Sequence, residues 1–246
     1  MADPPLPPRS ARLLAEAEAR KREARPPDAR TYALARTLGR AVFGACVAPR
    51  VVGREHIPRA GPLLIVANHL SYLEPPLITA VVPRRITFLA RHELFEIGWL
   101  APVLQLLGAL PIKRGGARDL DAIRAALDLL RQGEAVAIFP EGQRSPGPGL
   151  LRATPGVALL AHRSGAPVLP IAITGTEHLE AVGPFLGARW QPPPVRVTIG
   201  RPFHPTFGHG RPDHQATADE VLGRVAELLP ERYRGAYGPG GTGTGD

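Results

Sequence analysis

From Val51 onward the chain is built of short apolar runs separated by helix-length stretches, and this alternation constrains its fold more than any other feature. Runs at 63–67, 86–90, 109–112, 135–139, 168–174 and 195–199 have strand length, and helical stretches at 75–82, 99–107, 120–132, 155–164 and 215–229 follow or separate them. Such alternation implies an α/β fold in which a mostly parallel central sheet is flanked by helices on both faces. At 246 residues, 44% of them hydrophobic, the chain can bury one substantial core. In a sheet of this kind functional residues gather at strand ends and in the loops that follow.

The N-terminal part reads differently. Residues 1–10 are proline-rich, and 11–25 form an Ala/Glu/Arg-rich, largely solvated helix, so 1–30 is a disordered or solvated segment. Between Thr31 and Ala48, Leu34, Leu38, Val42 and Cys46 recur at spacing four while Arg36 and Arg40 share another face. Residues 31–50 therefore contain a basic amphipathic helix, which either packs on the core or lies in a lipid interface. Residues 1–50 hold ten Arg and Lys against five Asp and Glu, a large share of the +8 formal charge. That charge suits an anionic membrane surface. Nucleic acid is the weaker partner, since aromatics form only 5% of the chain and no basic stretch is interleaved with stacking residues.

Cys46 is the only cysteine, which excludes an internal disulfide and a cysteine metal cluster and fits a reducing compartment. The start, MADPPLPPRS, lacks the apolar stretch of a secretory signal. The longest uncharged apolar run, residues 97–112, is interrupted by Pro102 and Gly108 and is shorter than the roughly 18 to 20 residues that cross a bilayer. It serves as core or as the wall of an apolar tunnel. The tail, 238–246, is low-complexity and disordered.

Chemistry-bearing residues follow three of the apolar runs. His69 comes directly after the run 63–67, and Glu74 stands five residues on, at the start of the helical stretch 75–82. A carboxylate on one imidazole nitrogen fixes the tautomer and frees the other nitrogen to accept a proton from an attacking hydroxyl. The alternative is that Glu74 caps the helix dipole and His69 fills a turn. After the run 135–139, Glu141 can meet an acceptor hydroxyl, Gly142 permits a tight turn, and Arg144 can grip phosphate through two nitrogens. Lys113 and Arg114, after 109–112, offer a second phosphate grip. His56, His92, His162 and His178 have no ligand spacing, so no metal is implied.

In their order and spacing, NHLSYLEP (68–75), PIKR (111–114), FPEGQRS (139–145) and VLPIAIT (168–174) resemble the four sequence blocks of the glycerolipid acyltransferase family, of the 1-acyl-glycerol-3-phosphate acyltransferase type. The resemblance covers about 51–200, with a family-like ending ERYRGAY at 231–237, and implies an acyltransferase domain over 51–237. It implies that His69 is the general base, paired with Glu74. The free hydroxyl of a lysophospholipid would attack the thioester of acyl-CoA or acyl carrier protein, with no bound cofactor, to make phosphatidic acid for phospholipid biosynthesis. Arg114, Lys113 and Arg144 would hold the acceptor phosphate, Glu141 and Gly142 would shape the acceptor site, and residues 168–171 would lie near the acyl chain. The same resemblance implies a peripheral protein of the cytoplasmic membrane face.

Three positions depart from the family pattern. Glu74 has one methylene more than the usual aspartate, Gln143 replaces a threonine, and 153–156 reads ATPG in place of a Phe-Lys pair before glycine. These departures keep two alternatives open: a related acyltransferase using glycerol 3-phosphate, a lyso-aminolipid or a glycolipid, and a catalytically weak lipid-binding homologue.

Overall fold

The computed structural model describes residues 28–98, 100–112, 117–179, 194–207 and 213–239. The expectations for residues 1–27 and for the end of the tail lie outside them, as do Lys113 and Arg114.

Among the described residues seven strands form one sheet in the order β1-β7-β6-β2-β5-β3-β4. They are β1 (Arg50–Val52), β2 (Leu63–Ala67), β3 (Ile86–Arg91), β4 (Leu110–Ile112), β5 (Ala135–Ile138), β6 (Val168–Thr174) and β7 (Arg196–Ile199). Every pairing is parallel except that of β6 with β7. The helices are α1 (Ala29–Cys46), α2 (Glu74–Val81), α3 (Leu100–Leu106), α4 (Ala117–Arg131), α5 (Gly156–Ser164) and α6 (His214–Leu228). The mostly parallel sheet expected from the sequence is the one observed, and β1 is an addition to it. With only three residues and a half-exposed pattern, β1 has no apolar run to announce it.

The apolar strands are buried on both faces. In β2, Leu64 and Val66 enter a core under α4, α5 and α6, while Leu63 and Ile65 enter a second core under α2 and α3. Successive strand side chains point to opposite faces, so two cores require an uninterrupted apolar run. At the N-terminal side of the sheet, Arg84 donates to the carbonyls of Pro58, Gly61 and Gly133 and ties together the turns that lead into β2 and β5. The opposite rim is left for the site.

α1 begins at Asp28, whose Oδ1 accepts from the backbone N–H groups of Arg30 (2.9 Å) and Thr31 (3.1 Å), which satisfies donors that a helix start leaves free. It packs on α2 through the face that carries buried Tyr32 and close-lying Gly39. The Tyr32 hydroxyl accepts from the N–H of Ile86 at 3.1 Å. Leu34, Leu38 and Val42 face outward, 69%, 61% and 51% exposed, whereas Cys46 packs partly against the second core. The spacing-four stripe is thus split between solvent and protein.

Candidate active site

The site grows from the ends of β2 and β5, adjacent parallel strands. Beyond the last β2 pairing, the buried amide of Asn68 takes over from the backbone: its Nδ2 donates to the Ile173 carbonyl (2.8 Å) and its Oδ1 accepts from the Ile173 N–H (2.7 Å). This reciprocal pair fixes the direction in which the chain leaves the sheet. His69 follows, its ring stacked on Phe139 with centroids 4.1 Å apart and planes 20° from parallel. Its backbone is held on both sides, the N–H donating to Glu141 Oε1 (2.8 Å) and the carbonyl accepting from the Ser145 N–H (2.8 Å).

Glu74 reaches His69. Nδ1–H donates to Oε2 at 2.8 Å, and the Glu74 side chain is fully buried. The longer glutamate is accommodated because it is the first residue of α2, and its side chain turns back over the loop: the Leu70 N–H lies 2.9 and 3.0 Å from its two oxygens. Thr176, just after β6, donates its hydroxyl to Oε1 at 2.8 Å. Burial pushes the carboxyl above its ordinary range, and the hydrogen bonds from His69, Leu70 and Thr176 act against that push. With Nδ1 committed to Glu74, Nε2 is the nitrogen left to take a proton.

Glu141 does something other than meet an acceptor hydroxyl. It is buried, with Oε1 taken by the His69 N–H and Oε2 by the Ser145 hydroxyl and the Leu151 N–H (2.9 Å). Its carboxyl is likewise pushed up by burial and pulled back by those donors. A buried acid with three protein donors bears on the site through the His69 backbone. Gly142 adopts φ +75, which makes the tight turn, and Arg144 lies over the Tyr72 ring, 3.9 Å from its centroid. Lys113 and Arg114 fall outside the described residues, so of the three cations expected to hold phosphate only Arg144 is placed.

His69, Tyr72, Phe139, Gly142, Gln143 and Arg144 border a cavity of about 810 Å³. Beyond them the walls are mostly apolar, from Leu89 and Ala90 of β3, Val103 and Leu104 of α3, then Leu107, Ile123 and Leu160, with Glu93 and Thr154 as polar members. Ala90 and Leu104 belong to one core, Leu89 and Leu160 to the other, so the cavity opens where the two cores meet at the sheet rim. The run 97–112 accordingly supplies part of an apolar wall. Residues 168–171 do not: they form β6, beyond β2 from the cavity, and are fully buried in the sheet core. Asn68, Thr176 and Leu151 carried no signal as site residues, because their partners lie 105, 102 and 10 positions away.

A family model described as Acyltransferase matches residues 48–174. A 1-acyl-sn-glycerol-3-phosphate acyltransferase of Neisseria meningitidis is 34% identical over 137 residues, 55% of this chain and 53% of that protein. One from Borreliella burgdorferi is 28% identical over 129 residues, 52% of each. The chain thus spans about half the length of these curated relatives. The crystal structure of the 1-acyl-sn-glycerophosphate (LPA) acyltransferase PlsC from Thermotoga maritima superposes with TM-score 0.60 at 29% identity, covering 82% of this chain and 81% of that one.

Proposed function

The chain belongs to the acyltransferase family whose model spans residues 48–174, and from that premise we propose that it moves a fatty acyl group from acyl-CoA or acyl carrier protein to the free hydroxyl of 1-acyl-sn-glycerol 3-phosphate. The observation that carries the reading is the His69–Glu74 pair, 2.8 Å apart at the border of the apolar cavity. His69 Nε2 accepts the hydroxyl proton as the oxygen attacks the thioester carbonyl, and the Glu74 carboxylate stabilises the imidazolium that forms. The C–S bond then breaks, the thiolate takes the proton from Nε2, and the new ester is phosphatidic acid. The acceptor oxygen is itself the nucleophile in this scheme. That fits a site where Ser145 donates its hydroxyl to Glu141 and Cys46 sits at the end of α1.

The apolar walls suit an acyl chain, and Arg144 at the border suits the acceptor phosphate, with Lys113 and Arg114 proposed to share it. Gln143 also borders the cavity, which favours testing glycerol 3-phosphate, lyso-aminolipid and glycolipid acceptors beside the lysophosphatidate. The close His69–Glu74 contact speaks for catalysis over lipid binding alone. Thiol release from palmitoyl-CoA and from an acyl carrier protein, with and without 1-acyl-sn-glycerol 3-phosphate, tests the reading: acceptor-dependent release supports it. Release indifferent to every acceptor overturns it.

Both substrates carry lipid chains, and we place the protein peripherally on the cytoplasmic face of a membrane. Among the described residues no helix is long and apolar enough to cross one. Outward-facing Leu34, Leu38 and Val42 on a helix that also carries Arg36 and Arg40 support interfacial docking. Replacing Leu34 and Leu38 with aspartate removes apolar burial in the interface and is expected to weaken sedimentation with phosphatidylglycerol vesicles by about tenfold or more. Parental partitioning at unchanged helicity would remove that role from α1.

A further inference from the structure

We infer that Tyr233, far from the cavity in sequence, is a positioning residue for the catalytic pair, because it links the segments that hold His69 and Glu74. Tyr233 is 3% exposed. Its hydroxyl donates to Glu177 Oε1, and the other Glu177 oxygen, Oε2, is buried with no partner among the described residues. Tyr233 is thus the buried hydrogen-bond donor to this carboxylate, whose Oε1 also lies 3.5 Å from Nε2 of the exposed His178. Glu177 adjoins Thr176 in the turn after β6, and Thr176 donates to Glu74.

The second arm starts from the backbone of the same residue. The Tyr233 carbonyl accepts from the Leu150 N–H (3.1 Å), and the Leu150 carbonyl accepts from the Ala236 N–H (3.0 Å). Next in the chain, the Leu151 N–H donates to Glu141, which holds the His69 N–H. The approach is close enough to require glycine at 235: at φ +46, an added Cβ would lie 2.3 Å from the Leu150 oxygen and 2.5 Å from its nitrogen. Tyr237 reinforces this arm, its hydroxyl accepting from the Ala153 N–H and donating to Asp219. The two arms meet at the His69–Glu74 hydrogen bond and close a circuit through Thr176, Glu177, Tyr233, the 150–151 turn and Glu141.

The inference rests on His69 as the base, so His69→Ala is measured beside the variants below. Tyr233→Phe removes the hydroxyl and keeps the buried ring. It is expected to lower kcat about tenfold, through misalignment of the pair, while KM for donor and acceptor stays within about twofold and the melting temperature within a few degrees. Glu177→Ala cuts the same link and should lose as much, and the double variant should lose no more than either single one. Glu177→Gln, whose amide oxygen still accepts from the hydroxyl, should recover most of kcat. Parental kcat in folded Tyr233→Phe, a loss seen in KM alone, or losses that multiply in the double variant would each overturn the role. If Tyr233→Phe does not fold, Glu177→Ala decides alone, and parental kcat there overturns it. Activity that survives His69→Ala would instead overturn the base assignment, a result distinguishable from the others because it leaves the circuit variants without an object.

Discussion

His69→Ala is expected to lower acceptor-dependent acyl transfer on the order of 10³-fold or more, since loss of a general base alone removes roughly 10² to 10⁴ and the other described partners of Glu74, the Leu70 N–H and the Thr176 hydroxyl, are donors that cannot replace it. The fold should survive, because the backbone contacts of residue 69 with Glu141 and Ser145 do not involve the ring. A cost in stability is still expected. The alanine removes the stack on Phe139 and the donor to Oε2, leaving Glu74 buried with the Leu70 N–H and the Thr176 hydroxyl. Loss of one donor to a buried carboxylate costs about 1 to 3 kcal/mol. Thiol release and thermal melting on one preparation check both expectations, and a variant within tenfold of the parent would exclude His69 as base.

Glu74→Gln should be nearly as inactive, with the opposite effect on stability. An amide nitrogen facing Nδ1 can only donate, which puts the imidazole proton on Nε2, where it blocks proton acceptance; a wrong tautomer of this kind costs on the order of 10³ to 10⁴ in kcat. The pH dependence separates this variant from a misfolded one. Burial holds the Glu74 carboxyl above its ordinary 4.5, so the native state binds the proton more tightly than the unfolded chain does. The resulting stabilisation is fully present below pH 4.5 and is lost as pH rises through the folded-state value. Glutamine carries no proton to lose. Glu74→Gln should therefore gain in melting temperature relative to the parent as pH rises across that window. The parent's activity should rise over the same interval, because the pair functions with Glu74 ionised. A melting difference that does not change with pH would show that the carboxyl titrates normally.

The sequence revealed β2 and β6 to the residue, because strands enclosed by two cores are apolar without interruption. β1 escaped, since a three-residue edge strand led by arginine is specified by its pairing with β7 and has no pattern of its own. His69 and Glu74 were legible because five residues separate them and a helix start can bring them together. Glu141 was legible as a site residue but not in its role, because that role depends on donors at 69, 145 and 151. Asn68, Thr176 and Tyr233 belong to contacts that exist only after the parallel sheet has brought distant segments to one rim. The α1 stripe shows the same limit. Periodicity announced a helix, while the face that meets protein was decided by Tyr32 and Gly39 against α2.

The hydrogen-bonded circuit around His69 and Glu74 draws on chain segments near 69–74, 141–151, 176–177 and 233–236. A molecule that has released one of these segments keeps an imidazole and a carboxyl but has lost part of what aligns them. Acyl thioesters are activated compounds, and a half-ordered site with a free base beside water would waste them. Because the circuit ties the alignment of the pair to all four segments, opening any one of them is expected to weaken the base along with the rest of the site, and so to limit the hydrolysis that a partly opened molecule could support.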